Sequence, residues 1–366
     1  MFCIMVFKRK FIVLLLLVVL LEGCMYFFKT HKHLVNVYDQ FIFYPFQSFR
    51  TALFSFIPFS IGDVIYVLGG FWALITIIRW SYFIVKFGMY KGRLAVSLLK
   101  CINTALFVYL FFVFGWGANY YKEPLRRYWS LDSSRRKKTD TSSLIAFDKF
   151  LLGKLNSYST HYHALSLSEI NKRAKTYYRI YTDCKVNNGL NIKPTLFGNI
   201  MERFDIEGYY NPFTGEGQVN NKLPVFMLPF TVCHEMAHQA GIAAEEDANL
   251  MAYTLGTAAN DSTFSYSCYL NIWLYTNDRL FFHDSALANR FESQLNKLSR
   301  AHIDTLDAIN RKFHSELTKY SGAVYDSYLR MQNQKEGIRS YGNVASSAWQ
   351  LEKKRDSIPV GVIRIP

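Results

Sequence analysis

The stretch Thr231-Val-Cys-His-Glu-Met-Ala-His-Gln-Ala-Gly241 contains an HExxH motif, preceded by Pro229 and closed by a glycine. Residues four positions apart in a helix project about 40° apart from one face, so His234 and His238 can converge on one Zn²⁺ ion. Glu235 follows the first histidine, where it can reach a metal-bound water and act as general base. The motif therefore predicts a helical zinc site, although three fixed residues also arise by chance in long chains.

The third metal ligand is expected in the next segment, Glu245-Glu-Asp-Ala-Asn-Leu-Met-Ala-Tyr253. In a straight helix, a residue seven positions after His238 would lie roughly 10 Å along the axis. The chain therefore has to reverse, and Gly241 is a suitable place. Zinc peptidases of the gluzincin kind take their third ligand from a Glu in an ExxA(D/N) helix, which this segment resembles from Glu245 onward. Asn249 would then orient a ligating histidine.

Two neighbouring carboxylates compete with Glu245 as the ligand. Glu246 and Asp247 belong to the same acidic run, and as non-ligands they would supply negative charge to the first turn of a helix. A metzincin site would instead need His or Asp three residues after the glycine, and that position is Ala244. The metzincin alternative is therefore excluded.

Three long apolar runs lie in the first third of the 366-residue chain, at about 11–28, 62–80 and 100–118. Each is long enough, or nearly so, to cross about 30 Å of hydrocarbon. The first resembles a signal peptide but lacks a small-residue cleavage site, and we interpret it as a retained helix. Buried core helices are the alternative for the other two, but aromatic residues crowd their ends, as at membrane interfaces.

Basic residues beside these runs indicate the orientation of the chain. Lys8, Arg9 and Lys10 precede the first run, and a predicted loop between the second and third runs carries five more, Arg79, Lys86, Lys91, Arg93 and Lys100. If both clusters are cytoplasmic, residues beyond about 119 are extracytoplasmic. The cluster from Arg126 to Lys138 opposes this orientation.

The net charge of +14 is accounted for by these juxtamembrane clusters, which suit the anionic headgroups of membrane lipids. A nucleic-acid-binding protein would need a basic face with base-stacking aromatics on a soluble domain, and the sequence has neither. We therefore expect membrane lipids and a protein or peptide substrate as partners, and no nucleic acid.

The remaining sequence predicts a mostly helical fold. Helical patterns cover 144–156, 166–183 and 285–334, and residues 206–220 predict two short strands around a turn. These strands would either bind an extended substrate at a sheet edge or simply cap the core. We predict a membrane region at 1–120 with three transmembrane helices, a linker at 121–143, and an α+β zincin-like domain with a small sheet at 144–366.

Several motifs together resemble the domain of unknown function 3810 family of bacterial membrane proteins. They are Pro58-Phe-Ser-Ile-Gly-Asp63, Gly115-Trp-Gly-Ala-Asn-Tyr-Tyr121, Gly208-Tyr-Tyr-Asn-Pro-Phe-Thr-Gly-Glu216, and the HExxH segment with its acidic helix. The resemblance covers nearly the whole chain and implies a zinc-peptidase-like, multi-pass protein of the bacterial inner membrane. It supplies no substrate.

The function expected from the sequence is that of a membrane-bound zinc metallopeptidase. His234, His238 and Glu245 would hold Zn²⁺, with a fourth position open to water, and Glu235 would shuttle the proton. Stabilising the oxyanion needs a further donor, for which Tyr266 and Tyr210 are the candidates. The alternative is a non-catalytic binding or scaffold protein of the cell envelope that keeps the zinc-peptidase fold.

The orientation is tested by reporter fusions in bacterial cells. Alkaline phosphatase fused after residue 150 should be active, because the carboxy-terminal domain is expected outside the cytoplasm, whereas a fusion near Gly92 should be silent. Enzyme activity on intact cells is the measurement. The reverse pattern would place the domain in the cytoplasm and restrict its substrates to cytosolic proteins or the inner ends of membrane proteins.

Overall fold

The structure, a computed structural model, describes residues 2–131, 141–313, 344–355 and 363–366, together with the single positions 323, 327 and 330. The chain divides into two compact units. One is Met1–Lys122 with Asn211–Gly215, and the other is Glu123–Tyr210 with Glu216–Pro366. Part of the predicted linker, with the basic cluster at 135–138, lies outside the described residues, as does most of the pattern predicted as helical beyond 313.

The amino-terminal unit contains five α-helices, α1 (Phe2–Thr30), α2 (Lys32–Tyr38), α3 (Tyr44–Phe54), α4 (Ile61–Val85) and α5 (Phe87–Gly115). Three of them, α1, α4 and α5, are long and apolar enough to cross a membrane, which confirms the three predicted apolar helices. The start of α4 is capped, because Ser60 Oγ accepts a hydrogen bond from the backbone N–H of Asp63 at 3.0 Å. Such a cap satisfies an N–H that has no partner within the helix.

The basic segment between the second and third apolar runs is helical, and the prediction of a loop was wrong. The helix α4 continues to Val85 and α5 begins at Phe87, so only Lys86 separates them. Lysine and arginine are good helix formers, and no proline interrupts residues 79–100. The helix α5 therefore begins well before the apolar run that starts at Ile102.

A buried arginine organises part of the amino-terminal unit. Arg50 on α3 is 2% exposed, and its guanidinium donates hydrogen bonds to the carbonyl of Gly115, to Gln47 and to the carbonyl of Pro212. Gln47 in turn donates to the carbonyl of Gly215 at 2.9 Å. Carbonyl dipoles thus solvate a charge that is costly to bury alone. The segment Asn211–Gly215 belongs to this unit because these donors bind its backbone.

The described part of the second unit contains ten α-helices, two short 3₁₀ helices and three strands. The α-helices are α6 (Leu125–Tyr128), α7 (Thr141–Tyr158), α8 (Leu167–Tyr181), α9 (Gly198–Arg203), α10 (Leu228–Gln239), α11 (Glu245–Ala258), α12 (Ser262–His283), α13 (Ser285–Ser293), α14 (Lys297–Phe313) and α15 (Val344–Lys354), and the strands are β1 (Ile192–Pro194), β2 (Gly208–Asn211) and β3 (Glu216–Val219). The helices predicted from Leu144 and near 166–183 are confirmed as α7 and α8.

The strands form one small sheet in the order β1-β3-β2. The pair β2 and β3 confirms the two strands predicted around a turn. The strand β1 pairs in parallel with the central strand, with Ile192 opposite Gly217. A Cβ at Gly217 would lie 2.5 Å from Ile192 Cδ1 and 3.4 Å from Glu235 Cβ. Glycine at this position therefore lets α10 pack directly on the sheet.

The core of the second unit is built around α12, whose inward side chains are largely buried. Trp273 Nε1 and Asn277 Nδ2 donate to the buried carboxylate of Asp148 on α7 at 2.9 and 3.2 Å. On another face of α12, Gly256 of α11 approaches so closely that a Cβ there would lie 2.3 Å from Cys268 Sγ. The two helices pack closely at this point because position 256 has no side chain.

This close approach predicts a coupling between positions 256 and 268. Gly256→Ala should destabilise the protein by about 1–3 kcal/mol, because overpacking forces neighbouring atoms to move. The loss should shrink in a Cys268→Ala background, where the sulfur is absent. Thermal unfolding of the four proteins in one detergent forms a double-mutant cycle.

Gly153 provides the matched control, since a Cβ at this exposed position in α7 would meet nothing within 4 Å. Gly153→Ala should leave stability unchanged or raise it by up to about 1 kcal/mol. An equal loss from Gly256→Ala in both backgrounds would show that Cys268 does not limit the packing.

Candidate metal centre

The helix α10 carries both histidines, and all its residues are buried. It ends in a Schellman motif, in which Gly241 N–H donates to the carbonyl of His238 and Ile242 N–H donates to the carbonyl of Ala237. Gly241 adopts a φ of +91°, in the left-handed region that favours glycine. The chain reverses here, and α11 begins four residues later.

The reversal brings a carboxylate to the two imidazoles. Glu245 Oε2 lies 3.2 Å from His234 Nε2 and 3.6 Å from His238 Nε2, and the two Nε2 atoms are 3.1 Å apart. All three side chains are buried. They form a group that can hold one metal ion, and they are the residues that the sequence predicted as ligands.

The tautomer of His238 is fixed by the reversed chain. His238 Nδ1 lies 2.7 Å from the carbonyl oxygen of Ile242, which can only accept, so Nδ1 carries a proton and Nε2 faces Glu245. Burial alone would lower the pKa of His238, but the charges of Glu245 and Glu235 and the Ile242 carbonyl raise it to about 9. Although burial opposes it, the two imidazoles hold the pKa of Glu245 well below its usual range. Without a metal ion, the group is an ion pair.

The other histidine has a different environment. Burial is the largest influence on His234 and lowers the pKa of its imidazole, while the side chains of Glu245 and Asn249 act in the opposite direction. Neither His234 Nδ1 nor Asn249 Nδ2 has a hydrogen-bond partner at normal geometry among the described residues. The Asn249 side chain lies close enough to His234 to act on its pKa, and its role in orienting a histidine stays a prediction.

The two rival carboxylates face elsewhere. Glu246 Oε1 accepts a hydrogen bond from Ser347 Oγ on α15 at 3.1 Å. The Asp247 carboxylate accepts one from the backbone of Leu125, while burial and the neighbouring Glu246 raise the pKa of Asp247 to about 7. Glu246 and Asp247 face away because α11 begins at Glu245. The side chain of that first residue points toward the histidines, and the next two project in other directions around the helix.

Glu235 is a buried carboxyl between α10 and the sheet. Its side chain is 3% exposed, and Oε2 has no hydrogen-bond partner among the described residues. Burial raises the pKa of Glu235 to about 8; the charge of His238 acts to lower it, and those of Glu245 and Glu207 act to raise it further. The strand β2 approaches so closely that a Cβ on Gly208 would lie 2.6 Å from Glu235 Oε1.

Two further ionisable groups lie near this site, and sequence reasoning missed both. Glu207 accepts a hydrogen bond from Thr231 Oγ1 of α10 at 3.0 Å, and burial raises the pKa of Glu207 to about 7. Burial, together with the charges of Glu207 and Glu245, raises the pKa of Tyr275 on α12. Only the position of Glu207 within the segment predicted to form two strands, 206–220, could have drawn attention to it.

The two tyrosines predicted as oxyanion donors have different surroundings. Tyr266 is fully buried, and its hydroxyl lies 2.8 Å from His302 Nδ1 on α14. It is therefore engaged within the helical core. Tyr210 follows Gly208 by two residues on β2, and alternation places both on the same face of the strand. Tyr210 thus shares the strand face that Glu235 approaches.

No curated protein and no solved structure matches the chain. One family model does match it, over residues 38–346, and carries the description "Protein of unknown function (DUF3810)". The matched region includes α4, α5, the sheet and the complete His-His-Glu group. Because the match covers well over half of the chain, as the sequence motifs predicted, the protein belongs to the DUF3810 family.

Proposed function

We propose that the protein is a membrane-associated zinc metallopeptidase. The observation that carries the proposal is Glu235, a buried carboxyl whose Oε2 has no hydrogen-bond partner among the described residues, one position from a metal-ligating histidine. A purely structural metal site needs no such group. Burying an unsatisfied carboxyl is costly, and catalysis gives a reason to retain it.

Zinc fits the ligand atoms. Ligands placed tetrahedrally at about 2.0–2.1 Å from zinc lie about 3.3–3.4 Å from one another, and the three separations here are 3.1, 3.2 and 3.6 Å. Two imidazoles and one carboxylate are also a set that zinc binds in catalytic sites, where a fourth position stays open. The Ile242 carbonyl on His238 is the outer contact that such histidines usually make.

Glu235 would move the proton. When bound, zinc would lower the pKa of a coordinated water and polarise a carbonyl group. The Glu235 carboxylate would accept a proton from the attacking water and return it to the leaving amine. Without a metal ion, the pKa of Glu235 is about 8. A bound cation would lower this pKa toward neutrality, where the carboxyl can both accept and release a proton.

Tyr275 and Tyr210 are the candidate donors for the developing oxyanion. The phenol of Tyr275 feels the charges of Glu207 and Glu245, so it lies near the reacting groups, and Tyr210 shares a strand face with Gly208. Tyr266 is less suited because His302 already engages its hydroxyl. A phenol with a raised pKa stays protonated at neutral pH, as a hydrogen-bond donor must.

The sheet supports a peptide as the substrate. The strand β2 lies at an edge of the sheet, where a further extended chain can pair with backbone groups. Gly208 brings this strand to Glu235 without an intervening side chain. A chain paired there would run past the carboxyl that moves the proton. From the charge bias of the sequence, we place this chemistry outside the cytoplasm, at the bacterial inner membrane.

The metal assignment predicts the behaviour of five variants. His234→Ala, His238→Ala and Glu245→Gln should each lose most of the one zinc per chain that copurifies, because each removes a ligand. Glu246→Gln and Asp247→Asn are the controls and should keep it, since neither carboxylate reaches the histidines. The measurement is elemental analysis of the detergent-purified proteins. Loss of zinc in Asp247→Asn but not in Glu245→Gln would overturn the ligand assignment.

The catalytic assignment predicts that Glu235→Gln keeps zinc but loses activity by about 10²–10⁴-fold, the usual contribution of a general base. Mass spectrometry of a pool of unstructured peptides measures cleavage, with Glu246→Gln as the matched control. Wild-type rates in Glu235→Gln would refute the proton-transfer role. Zinc-loaded wild type that binds peptides without cutting them would favour the alternative, a non-catalytic binding protein of the envelope.

A further inference from the structure

The amino-terminal unit contains a cavity of about 400 Å³ among three of its helices. The residues lining it are Val6 from α1, Arg79 and Phe83 from α4, and Arg93, Val96, Ser97 and Lys100 from α5. On α5, positions 93, 97 and 100 follow the spacing of one helical face. Three cations therefore surround one cavity whose remaining lining is apolar except for Ser97.

These cations lack anionic partners. Within the part of the chain that the structure describes, no carboxylate pairs with Arg79, Arg93 or Lys100. The guanidinium of Arg93 lies 5.2 Å from the ring centroid of Tyr90, a contact that leaves its charge unneutralised. Three like charges around one cavity repel one another, so an anion in the cavity would relieve that repulsion.

Ser97 positions one of the charges and offers a donor. Its Oγ accepts from Arg79 Nη2 at 3.1 Å and from Trp80 Nε1 at 3.0 Å. Guanidinium and indole nitrogens only donate, so the hydroxyl proton of Ser97 is left to donate to a further acceptor. This side chain is 8% exposed. The cavity therefore offers a buried hydroxyl and three cationic groups, and a phosphate group accepts hydrogen bonds from donors of both kinds.

The cavity lies where the apolar parts of the helices end. Asn103 Nδ2 donates to the carbonyl of Lys10 at 2.9 Å, which fixes α1 and α5 at the same level. The apolar run of α1 begins directly after Lys10, and that of α5 begins at Ile102. In a membrane, this level would be the headgroup region, with hydrocarbon on one side and water on the other.

We propose that this cavity binds the phosphate headgroup of an anionic phospholipid. The cations and Ser97 would take the phosphate oxygens, while Val6, Phe83 and Val96 of the lining would contact the glycerol and the start of the acyl chains. A free phosphate ion offers the same oxygens but nothing to the apolar side. The site is independent of the metal centre and of any peptidase activity.

The test uses native mass spectrometry of the full chain in detergent, titrated with phosphatidylglycerol or phosphatidylcholine. Wild type should bind phosphatidylglycerol more tightly, and Arg79→Gln/Arg93→Gln/Lys100→Gln should lose that preference. Each charge contributes about 1 kcal/mol near an anionic lipid, which is about fivefold in affinity, so Arg93→Gln alone should weaken binding about fivefold. This single variant removes only the exposed guanidinium of Arg93, so it keeps the proposal testable if the triple variant fails to fold.

The matched control is Lys8→Gln/Arg9→Gln/Lys91→Gln, which removes the same charge from exposed positions outside the cavity lining. It should keep the preference for phosphatidylglycerol. An equal loss in the control, or none in the cavity variants, would overturn the proposal in favour of diffuse attraction. Inorganic phosphate that displaces the lipid at equal concentration would also overturn it, by identifying a site for a soluble anion.

Discussion

The His234-His238-Glu245 group depends on one backbone conformation, the left-handed φ of +91° at Gly241. The same conformation costs a residue with a Cβ about 1–2 kcal/mol. If α10 ran on without it, Glu245 would lie roughly 10 Å along the axis from His238. The reversal also turns the carbonyl of Ile242 toward His238 Nδ1. One turn thus brings Glu245 to the two histidines and fixes the tautomer of His238.

The site concentrates buried charge that needs compensation. Glu207, Glu235 and Glu245 lie close enough to influence one another, and two of them, Glu207 and Glu235, have a raised pKa because burial disfavours their ionised form. Only Glu245 is held ionised, by the two imidazoles. A divalent cation at the histidines would favour the ionised form of every one of these carboxyls. A cation held by the His-His-Glu group would therefore also control the protonation of Glu235.

The local parts of this site could be predicted from the sequence, because helical spacing fixes which side chains share a face. His234 and His238 are four residues apart, and the choice of Glu245 over Asp247 follows once the first residue of α11 is known. The sequence does not show at which of the three consecutive acidic residues α11 begins. Glu207 and Tyr275 were missed because tertiary packing alone brings them to α10.

The fold shows the same division between local and non-local information. Hydrophobicity located the three apolar helices, since their length and composition are properties of each segment alone. The prediction of a loop around Lys91 was wrong because the ends of the apolar runs do not mark the ends of the helices, and Lys and Arg themselves favour helices. The first strand, β1, could not be predicted, because three residues carry too little periodicity to distinguish a strand from a loop.

The buried Arg50 has a consequence for the order in which the chain is made. Its partner Gly115 lies 65 residues further along the chain, but its partner Pro212 lies 162 residues further, and the segment Glu123–Tyr210 of the second unit is synthesised in between. At 5–20 residues per second, the delay after Lys122 is on the order of 5–20 s. During that interval the guanidinium lacks a carbonyl that solvates it in the finished protein. The amino-terminal unit is therefore completed late, by a segment encoded far downstream, and a nascent chain truncated before residue 211 cannot complete it.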